Sequence, residues 1–286
     1  MKTPSDNQMP PTLPRRRRDA SKHDFGRLLI VAGSVGYTGA PTLASRAAVR
    51  GGAGLVYLGV PERIYAVTAV KNDEAMPFPL PCGGDGLLSP EAAPELLRRL
   101  EKCDALAVGP GLGRSAGVTA LVGALLEASR VPTVLDADAL WALSRAPELL
   151  ERAACPLVLT PHAREFERLG GDLSAPREEA ALRFAREHGC ALVLKGRGTV
   201  CAFPDGECYV NPTGNPGMAR GGSGDVLTGL MGALLCQLPF RRAVCAAVYL
   251  HGLAGDMCAA ELGEYGMTPT DMIERLPQAM RSVTEG

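Results

Sequence analysis

With 286 residues, 46% of them hydrophobic, and a formal net charge of −1, the chain can bury a full core and has no positive excess to suit a nucleic-acid partner. Nine cysteines, at 82, 103, 155, 190, 201, 208, 236, 245 and 258, are scattered through mostly apolar runs with no C-x-x-C pair and no metal-ligand spacing. That usage excludes a disulfide scaffold and a zinc module, and it reads as the reduced thiols of a cytoplasmic protein.

The residues to about Asp24 are rich in Pro and polar side chains, with a basic run from Arg15 to Arg18 and no apolar stretch of signal-peptide type. They read as a disordered tail, 1–24, ahead of one domain at 25–286. No membrane span or membrane partner is expected. The uncharged run 28–45 is broken by Gly33, Gly36, Gly39 and Pro41, and the apolar run 243–255 is short. From Arg27 onward strand and helix patterns alternate, with short apolar strands expected at 28–32, 55–60, 105–108, 133–135, 157–159 and 191–194. Such alternation predicts a parallel sheet covered on both faces. The turn Pro204-Asp205-Gly206 separates two β-rich runs, 199–203 and 207–210, and predicts an antiparallel hairpin on the sheet edge. Two long helices close the chain, and residues 243–254 are apolar nearly all round, as suits burial in a layer or against another subunit. No linker divides the sheet, so the binding crevice is expected at the carboxyl ends of its strands.

Polar motifs gather at those ends. Gly33-Ser34-Val35-Gly36-Tyr37-Thr38-Gly39-Ala40 follows the first strand, and Gly109-Pro110-Gly111-Leu112-Gly113 follows the third. Neither fits the G-x-G-x-x-G dinucleotide fingerprint in its βαβ setting or the G-K-[ST] ending of a P-loop, which disfavours a Rossmann dehydrogenase and a P-loop ATPase. Each loop is either a tight turn alone or one wall of a ligand site. Asp136-Ala137-Asp138 ends a further strand, with Asp138 read as a helix N-cap and Asp136 as facing the crevice. In Thr160-Pro161-His162-Ala163-Arg164-Glu165, His162 and Glu165 share a helix face, either as partners of a ligand and a metal-bound water or as a cap with a surface ion pair. Lys195-Gly196-Arg197-Gly198-Thr199 offers cations and close backbone to a nucleotide, or is a charged turn.

The stretch from Asn215 to Asp225 is the most informative, because a glycine run delivers one carboxylate to a helix start. Val226, Leu227, Leu230, Met231, Leu234 and Leu235 recur at helical spacing, so Gly222, Ser223, Gly224 and Asp225 cap that helix and turn its unpaired N–H groups outward. A helix start of this kind holds phosphate, and glycine lets a phosphate oxygen approach the backbone. Asp225 is then placed as a general base for a substrate hydroxyl. The same glycines also suit a plain turn and cap.

Together the motifs G-S-x-G-Y-T-G-A, G-P-G-L-G, D-A-D-A-L, T-P-H-x-x-E-F, K-G-x-G-T and G-N-P-G-M-x-x-G-G-S-G-D-V-L-T-G, followed by His251-Gly252-Leu253-Ala254-Gly255-Asp256, resemble the ADP-dependent NAD(P)H-hydrate dehydratases, relatives of ribokinase. The resemblance runs in order from Arg27 to the C-terminal helices. It implies a ribokinase-like three-layer α/β/α sandwich with a mainly parallel central sheet. It also implies that Ala40, Gly111, Gly113, His162 and Asp225 meet the hydrated nicotinamide nucleotide, while Lys195, Gly196, Arg197, Gly198, Thr199, Gly222, Ser223 and Gly224 meet the adenine nucleotide.

The implied reaction is that of a carbon–oxygen lyase in nucleotide repair: dehydration of the S epimers of NADHX and NADPHX to NADH and NADPH. ADP is the phosphoryl donor, AMP and phosphate are released, Asp225 is the catalytic base, and Mg²⁺ is reached from Glu165 through water. An NAD(P)H-hydrate epimerase is the implied functional partner, and the implied assembly is a homo-oligomer, a tetramer. The family occurs both free-standing and as the C-terminal half of a fusion with that epimerase, for which this chain lacks room. Arg164 and Arg220 stand where small or weakly polar residues are usual. Arg220 either alters nucleotide preference or sits in solvent. The alternatives are a vitamin or sugar kinase of the same superfamily, which would retain its phosphorylated product, an adenine-nucleotide sensor with no need of a base at Asp225, and a scaffold that leaves the glycine loops without a purpose.

Overall fold

The computed structural model describes residues 12–285. Nine strands are found among them: β1 (Arg27–Val31), β2 (Leu55–Pro61), β3 (Met76–Leu80), β4 (Ala105–Val108), β5 (Thr133–Leu135), β6 (Leu157–Leu159), β7 (Ala191–Leu194), β8 (Val200–Ala202) and β9 (Cys208–Val210). The helices are α1 (Gly39–Arg50), α2 (Glu62–Val70), α3 (Ala93–Leu100), α4 (Ala116–Ala128), α5 (Asp138–Arg145), α6 (Glu148–Arg152), α7 (Ala163–Arg168), α8 (Arg177–His188), α9 (Ser223–Leu235), α10 (Phe240–Gly266) and α11 (Pro269–Ser282).

One sheet runs in the order β3-β2-β1-β4-β5-β6-β7-β8-β9. The first seven strands pair in parallel, and β8 and β9 add the antiparallel hairpin expected at the edge. Successive side chains on a strand point to opposite faces, and both faces are buried. On β1, Leu28 and Ile30 pack with α1, α9, α10 and α11, while Leu29 and Val31 pack with α3, α4, α5 and α8. The result is the three-layer α/β/α sandwich that the alternation predicts. The chain lays down β1, β2 and β3 in one direction and then returns to set β4 on the other side of β1. Such a reversal is where the strand-end loops leave a crevice, here beside the loops after β1 and β4.

Strand β3 was not among the expected strands, because Pro77 and Pro79 interrupt its pattern. It lies on the outer edge, paired to β2 through Leu58↔Pro77 and Val60↔Pro79. An edge strand tolerates proline because one side of its backbone has no ladder to complete. The long helix α10 is apolar enough, over 27 residues, to cross a membrane by length and composition alone. It extends well beyond the short apolar run seen in the sequence. Its Ala243, Val244, Ala246, Ala247, Leu250 and Ala254 are core residues with no exposed surface, so its apolar character is spent on the sheet layer.

The disordered tail expected for 1–24 is corrected for residues 12–24, whereas 1–11 lie outside the described residues. Leu13 is buried, its N–H donates to the Val283 carbonyl at 2.9 Å, and its own carbonyl accepts from Glu285 N–H at 2.9 Å. Arg16 stacks over Phe25 at 3.6 Å and donates to the Gly52 carbonyl at 2.6 Å and to Gln237 Oε1 at 2.8 Å. Gln237 lies 221 positions from Arg16 in sequence, and the partners of Leu13 lie further still, so local composition gives no sign of them.

Helix α9 lies unusually close to α1. A Cβ at Gly229 would come within 1.9 Å of the Ala44 carbonyl oxygen. Glycine there lets the backbones of α9 and α1 touch.

Candidate active site

Backbone builds the wall over β1 and β4. Gly33 N–H donates to the Pro110 carbonyl at 2.8 Å, and the buried Ser34 Oγ donates to the Gly111 carbonyl at 2.8 Å. The two glycine loops are thus stitched together, and Gly111 sits against Ala40 and Tyr37, where a Cβ would come within 3.0 Å of both side chains. Ala40, in the first turn of α1, is partly exposed beside them. Gly113 N–H donates to Asp138 Oδ2 at 2.9 Å, and Asp138 Oδ1 accepts from Arg114 Nε at 2.9 Å. Asp138 is therefore not the N-cap expected of it. It is the first residue of α5, and its carboxylate anchors the second glycine loop. The residue before it, Ala137, has φ +49°, the one positive φ outside glycine among the described residues. Strain of this kind persists only where the surroundings impose it.

Charge builds the other wall. Asp136, 1% exposed at the end of β5, accepts from Lys195 Nζ at 2.7 Å, Thr160 Oγ1 at 2.8 Å and Thr228 Oγ1 at 2.9 Å. It does not face the crevice as a free carboxylate, because all three donors are spent in making its burial tolerable. Lys195 is likewise committed: burial pulls its ammonium toward deprotonation, but Asp136, Glu165 and Asp225 outweigh that and hold its pKa above the usual value. The ammonium lies beneath the start of α9 and not out along the Lys195–Thr199 loop. A Cβ at Gly224 would stand 3.4 Å from both Lys195 Nζ and Asp136 Oδ2. The helix start therefore lies at ordinary contact distance from the buried pair.

Asp225 follows as the third residue of α9, after an N-terminal cap at Gly222 with φ +97°. Burial pushes its carboxyl up to about 7, the Asp136 carboxylate adds to the rise, and Lys195 opposes it. No side chain among the described residues hydrogen-bonds this carboxylate. A partly buried carboxyl poised near neutrality is able to accept a proton from a hydroxyl. The first turn that carries it is held from behind by His251, whose Nε2 lies 2.9 Å from the Ser223 carbonyl and therefore donates to it. Burial lowers the pKa of that imidazole to about 4, so it works as a neutral donor. Asp256, one turn and a half further along α10, accepts from Gly214 N–H at 2.9 Å and Asn215 Nδ2 at 3.0 Å. The H-G-L-A-G-D motif thus supports both ends of the glycine run.

His162 and Glu165 form a reciprocal cap at the start of α7. Glu165 N–H donates to His162 Nδ1 at 3.2 Å, and His162 N–H donates to Glu165 Oε2 at 2.9 Å. The His162 ring is half-exposed, and its backbone bridges to Lys195, so the T-P-H and K-G-x-G-T motifs are neighbours. The Lys195–Thr199 turn closes through Thr199 Oγ1, which donates to the Gly196 carbonyl at 2.9 Å, and its Arg197 is exposed. Arg164 is exposed, and Arg220 donates to the Tyr265 carbonyl at the end of α10, at 2.9 Å. The guanidinium of Arg220 is thereby held on the helix end.

No group of three or more His, Cys, Asp or Glu side chains among the described residues gathers as a metal site. Glu165 Oε2 is already bonded to the His162 backbone and lies 4.0 Å from Lys195 Nζ. These residues do not make a metal centre by themselves. Two cavities of about 570 and 520 Å³ lie elsewhere, one beside α4, α5 and α6 and the other under residues 13–17.

The structure brings together Asp225, the glycine loops and the helix start that the sequence singles out. The contacts of Thr160, Thr228 and His251 carry no local signature in the sequence, because each acts on a partner at least 24 positions away.

The profile of the NAD(P)H-hydrate dehydratase family matches residues 28–278, which takes in every motif of the crevice. The chain belongs to that family. It is 47% identical over 279 residues to a bifunctional NAD(P)H-hydrate repair enzyme of Moorella thermoacetica, covering 96% of this chain and 52% of the relative. It thus spans about half the length of that protein. It is 36% identical over 275 residues to the ADP-dependent (S)-NAD(P)H-hydrate dehydratase of Bacillus subtilis, covering 94% of each chain. A crystal structure of the ADP/ATP-dependent NAD(P)H-hydrate dehydratase of Bacillus subtilis, co-crystallised with ATP and Mg²⁺, superposes with a TM-score of 0.80 at 32% identity over 95% of both chains. The sandwich of this family is the ribokinase-like fold.

Proposed function

We propose that this member of the family dehydrates the S epimers of NADHX and NADPHX at the expense of ADP, restoring NADH and NADPH and releasing AMP and phosphate. The observation that carries the reading is Asp225, a carboxyl poised near neutrality on the first turn of α9 beside Gly224 and Lys195. The hydroxyl of the hydrated ring is a poor leaving group and must be activated. Asp225 takes its proton, and the oxygen attacks the terminal phosphorus of ADP, expelling AMP. The helix N-terminus and the Lys195 ammonium favour the charge gathered on the transferring group. The ring nitrogen's electron pair then expels phosphate, and loss of a proton from the neighbouring carbon restores the double bond. Ala40, Gly111, Gly113 and the half-exposed His162 are the proposed seat of the hydrated nucleotide, while Lys195–Thr199 and Gly222–Gly224 are that of ADP. Magnesium is proposed to come with the nucleotide, held mainly by phosphate oxygens and water, with Glu165 nearby.

The test is one time course of AMP, inorganic phosphate and reduced-nicotinamide absorbance, started from NADHX, ADP and Mg²⁺. Equal accumulation of all three is the expected result. AMP with a stable phosphorylated product and no NADH would establish a kinase instead, and faster repair with ATP than with ADP would overturn the donor assignment alone. We further propose a cytoplasmic homo-oligomer, a tetramer, that works downstream of an NAD(P)H-hydrate epimerase. Light scattering on the purified protein and repair of the R epimer only when an epimerase is added test these two points.

A further inference from the structure

Arg177 opens α8, directly after Pro176. A helix between parallel strands runs back against them, so its first residue lies at the carboxyl end of the next strand, here β7, underneath the Lys195–Thr199 loop. There Arg177 Nη2 donates to the Leu194 carbonyl at 2.9 Å and the Lys195 carbonyl at 3.2 Å. Gly196 stands over the guanidinium with φ +154°, and a Cβ on it would come within 3.0 Å of Nη2 and 3.1 Å of Nη1. Nε is out of solvent without a hydrogen-bond partner, and among the described residues no carboxylate is paired with this side chain. An orphaned donor on an unpaired cation is costly, and a surface helix start does not call for it.

We propose that Arg177 is a positioning residue for the diphosphate of the adenine nucleotide. It holds the carbonyl oxygens of Leu194, at the end of β7, and of Lys195, at the start of the loop, away from the anion and leaves uncompensated positive charge beneath it. Two carbonyl dipoles turned toward a diphosphate would repel it. Tied to a guanidinium, they no longer do, and the loop presents a favourable potential to the ligand. Glycine at 196 suits this arrangement, because its φ of +154° is one that other residues rarely adopt and a Cβ would press on the guanidinium. The inference rests on the nucleotide reading of this loop.

Calorimetric binding of ADP and AMP, with KM and kcat in the repair assay, on the wild type, Arg177→Met and Arg177→Lys would test it. Arg177→Met should weaken ADP roughly tenfold to a hundredfold, the worth of hydrogen bonds to a charged group. It should weaken AMP, with one phosphate fewer, by less. KM for hydrated substrate should stay unchanged, kcat at saturating ADP should remain within about threefold, and Arg177→Lys should recover part of the loss. Gly196→Ala, which keeps the cation but displaces the loop, should show the same selective loss, and it decides the matter if Arg177→Met does not fold. Unchanged ADP affinity in Arg177→Met, or equal loss of ADP and hydrated substrate with a lowered Tm, would overturn the assignment. If the wild type binds no ADP, the nucleotide reading itself falls. If it binds ADP and the variants bind it equally, only the role of Arg177 falls.

Discussion

The two walls of the crevice are made of different materials. Over β1 and β4 the loops 33–40 and 109–113 hold each other through backbone groups and one serine hydroxyl, while over β5, β6 and β7 a buried ion pair, two threonines and Asp225 share one electrostatic neighbourhood. The first wall fixes shape, because each of its bonds depends on glycine-permitted backbone. The second fixes proton affinity, since moving any charge in it changes what Asp225 can do. Changes on the backbone wall should therefore cost stability first, and changes of charge on the charged wall should cost turnover first.

Asp225→Asn is the sharpest way to break that contrast. It keeps the shape and removes the base, so turnover should fall by about a hundredfold to ten-thousandfold with ADP binding retained. Near-normal turnover would remove Asp225 from the mechanism. The pH dependence of the wild type should agree. The base form is lost as pH falls through about 7, so kcat/KM should drop below that pH, and the limb should vanish in the variant. Stability should move the other way. The folded carboxyl binds its proton up to about pH 7 and the unfolded one only to about 3.8, so folding is favoured by the bound proton at low pH and loses that advantage as pH rises through the window. A gap of about three pH units sets a ceiling of about 4 kcal/mol. Asp225→Asn should accordingly raise Tm at pH 8 relative to the wild type and change it little at pH 4.

Gly109→Ala should do the reverse on the other wall. Gly109 has φ +135°, and an added Cβ would meet the Asp136 carbonyl oxygen at 1.8 Å. Backbone must shift to admit it, at a cost of about 3 kcal/mol or more, which denaturant unfolding would read as a lowered midpoint. An unchanged midpoint would mean that the loop is soft and that shape is fixed elsewhere. Thr228→Val comes next in size, because it leaves the Asp136 carboxylate short of one of its three buried donors. A loss of roughly 1–3 kcal/mol is expected, again by denaturant. The smallest effect belongs to Arg114→Ala, which removes a half-exposed partner of Asp138 and should cost at most about 1 kcal/mol, less at high salt.

The same contrast explains how much of the protein was legible in its sequence. Glycine loops announce themselves because the feature is local. The spacing of Gly109, Gly111 and Gly113 is visible without knowing what they touch, and the apolar spacing after Asp225 fixes the helix that Gly222 caps. All the parallel strands but β3 were readable for the same reason, and β3 was hidden because prolines that forbid a central strand are harmless on an edge. The charged wall is non-local. Nothing near Asp136 shows that it will meet Lys195 59 positions on and Thr228 92 positions on, so it was read as facing the crevice when it lies under it. Asp138 was assigned to its own helix for want of any sign that Gly113, 25 positions earlier, needed its carboxylate. Arg177 gave no signal, being one arginine at the start of an ordinary amphipathic helix.

The pairing of Leu13 with Thr284 brings both ends of the described chain to the far end of α9, beside Gln237 and Leu238 and away from the Asp225 end of that helix. Order along the chain is therefore separable from architecture. A circular permutant that joins these ends by a short linker and opens the β8–β9 turn at Asp205 should keep the sheet order and the crevice. A module tethered where the ends meet would hang at the end of α9 away from Asp225, clear of the crevice.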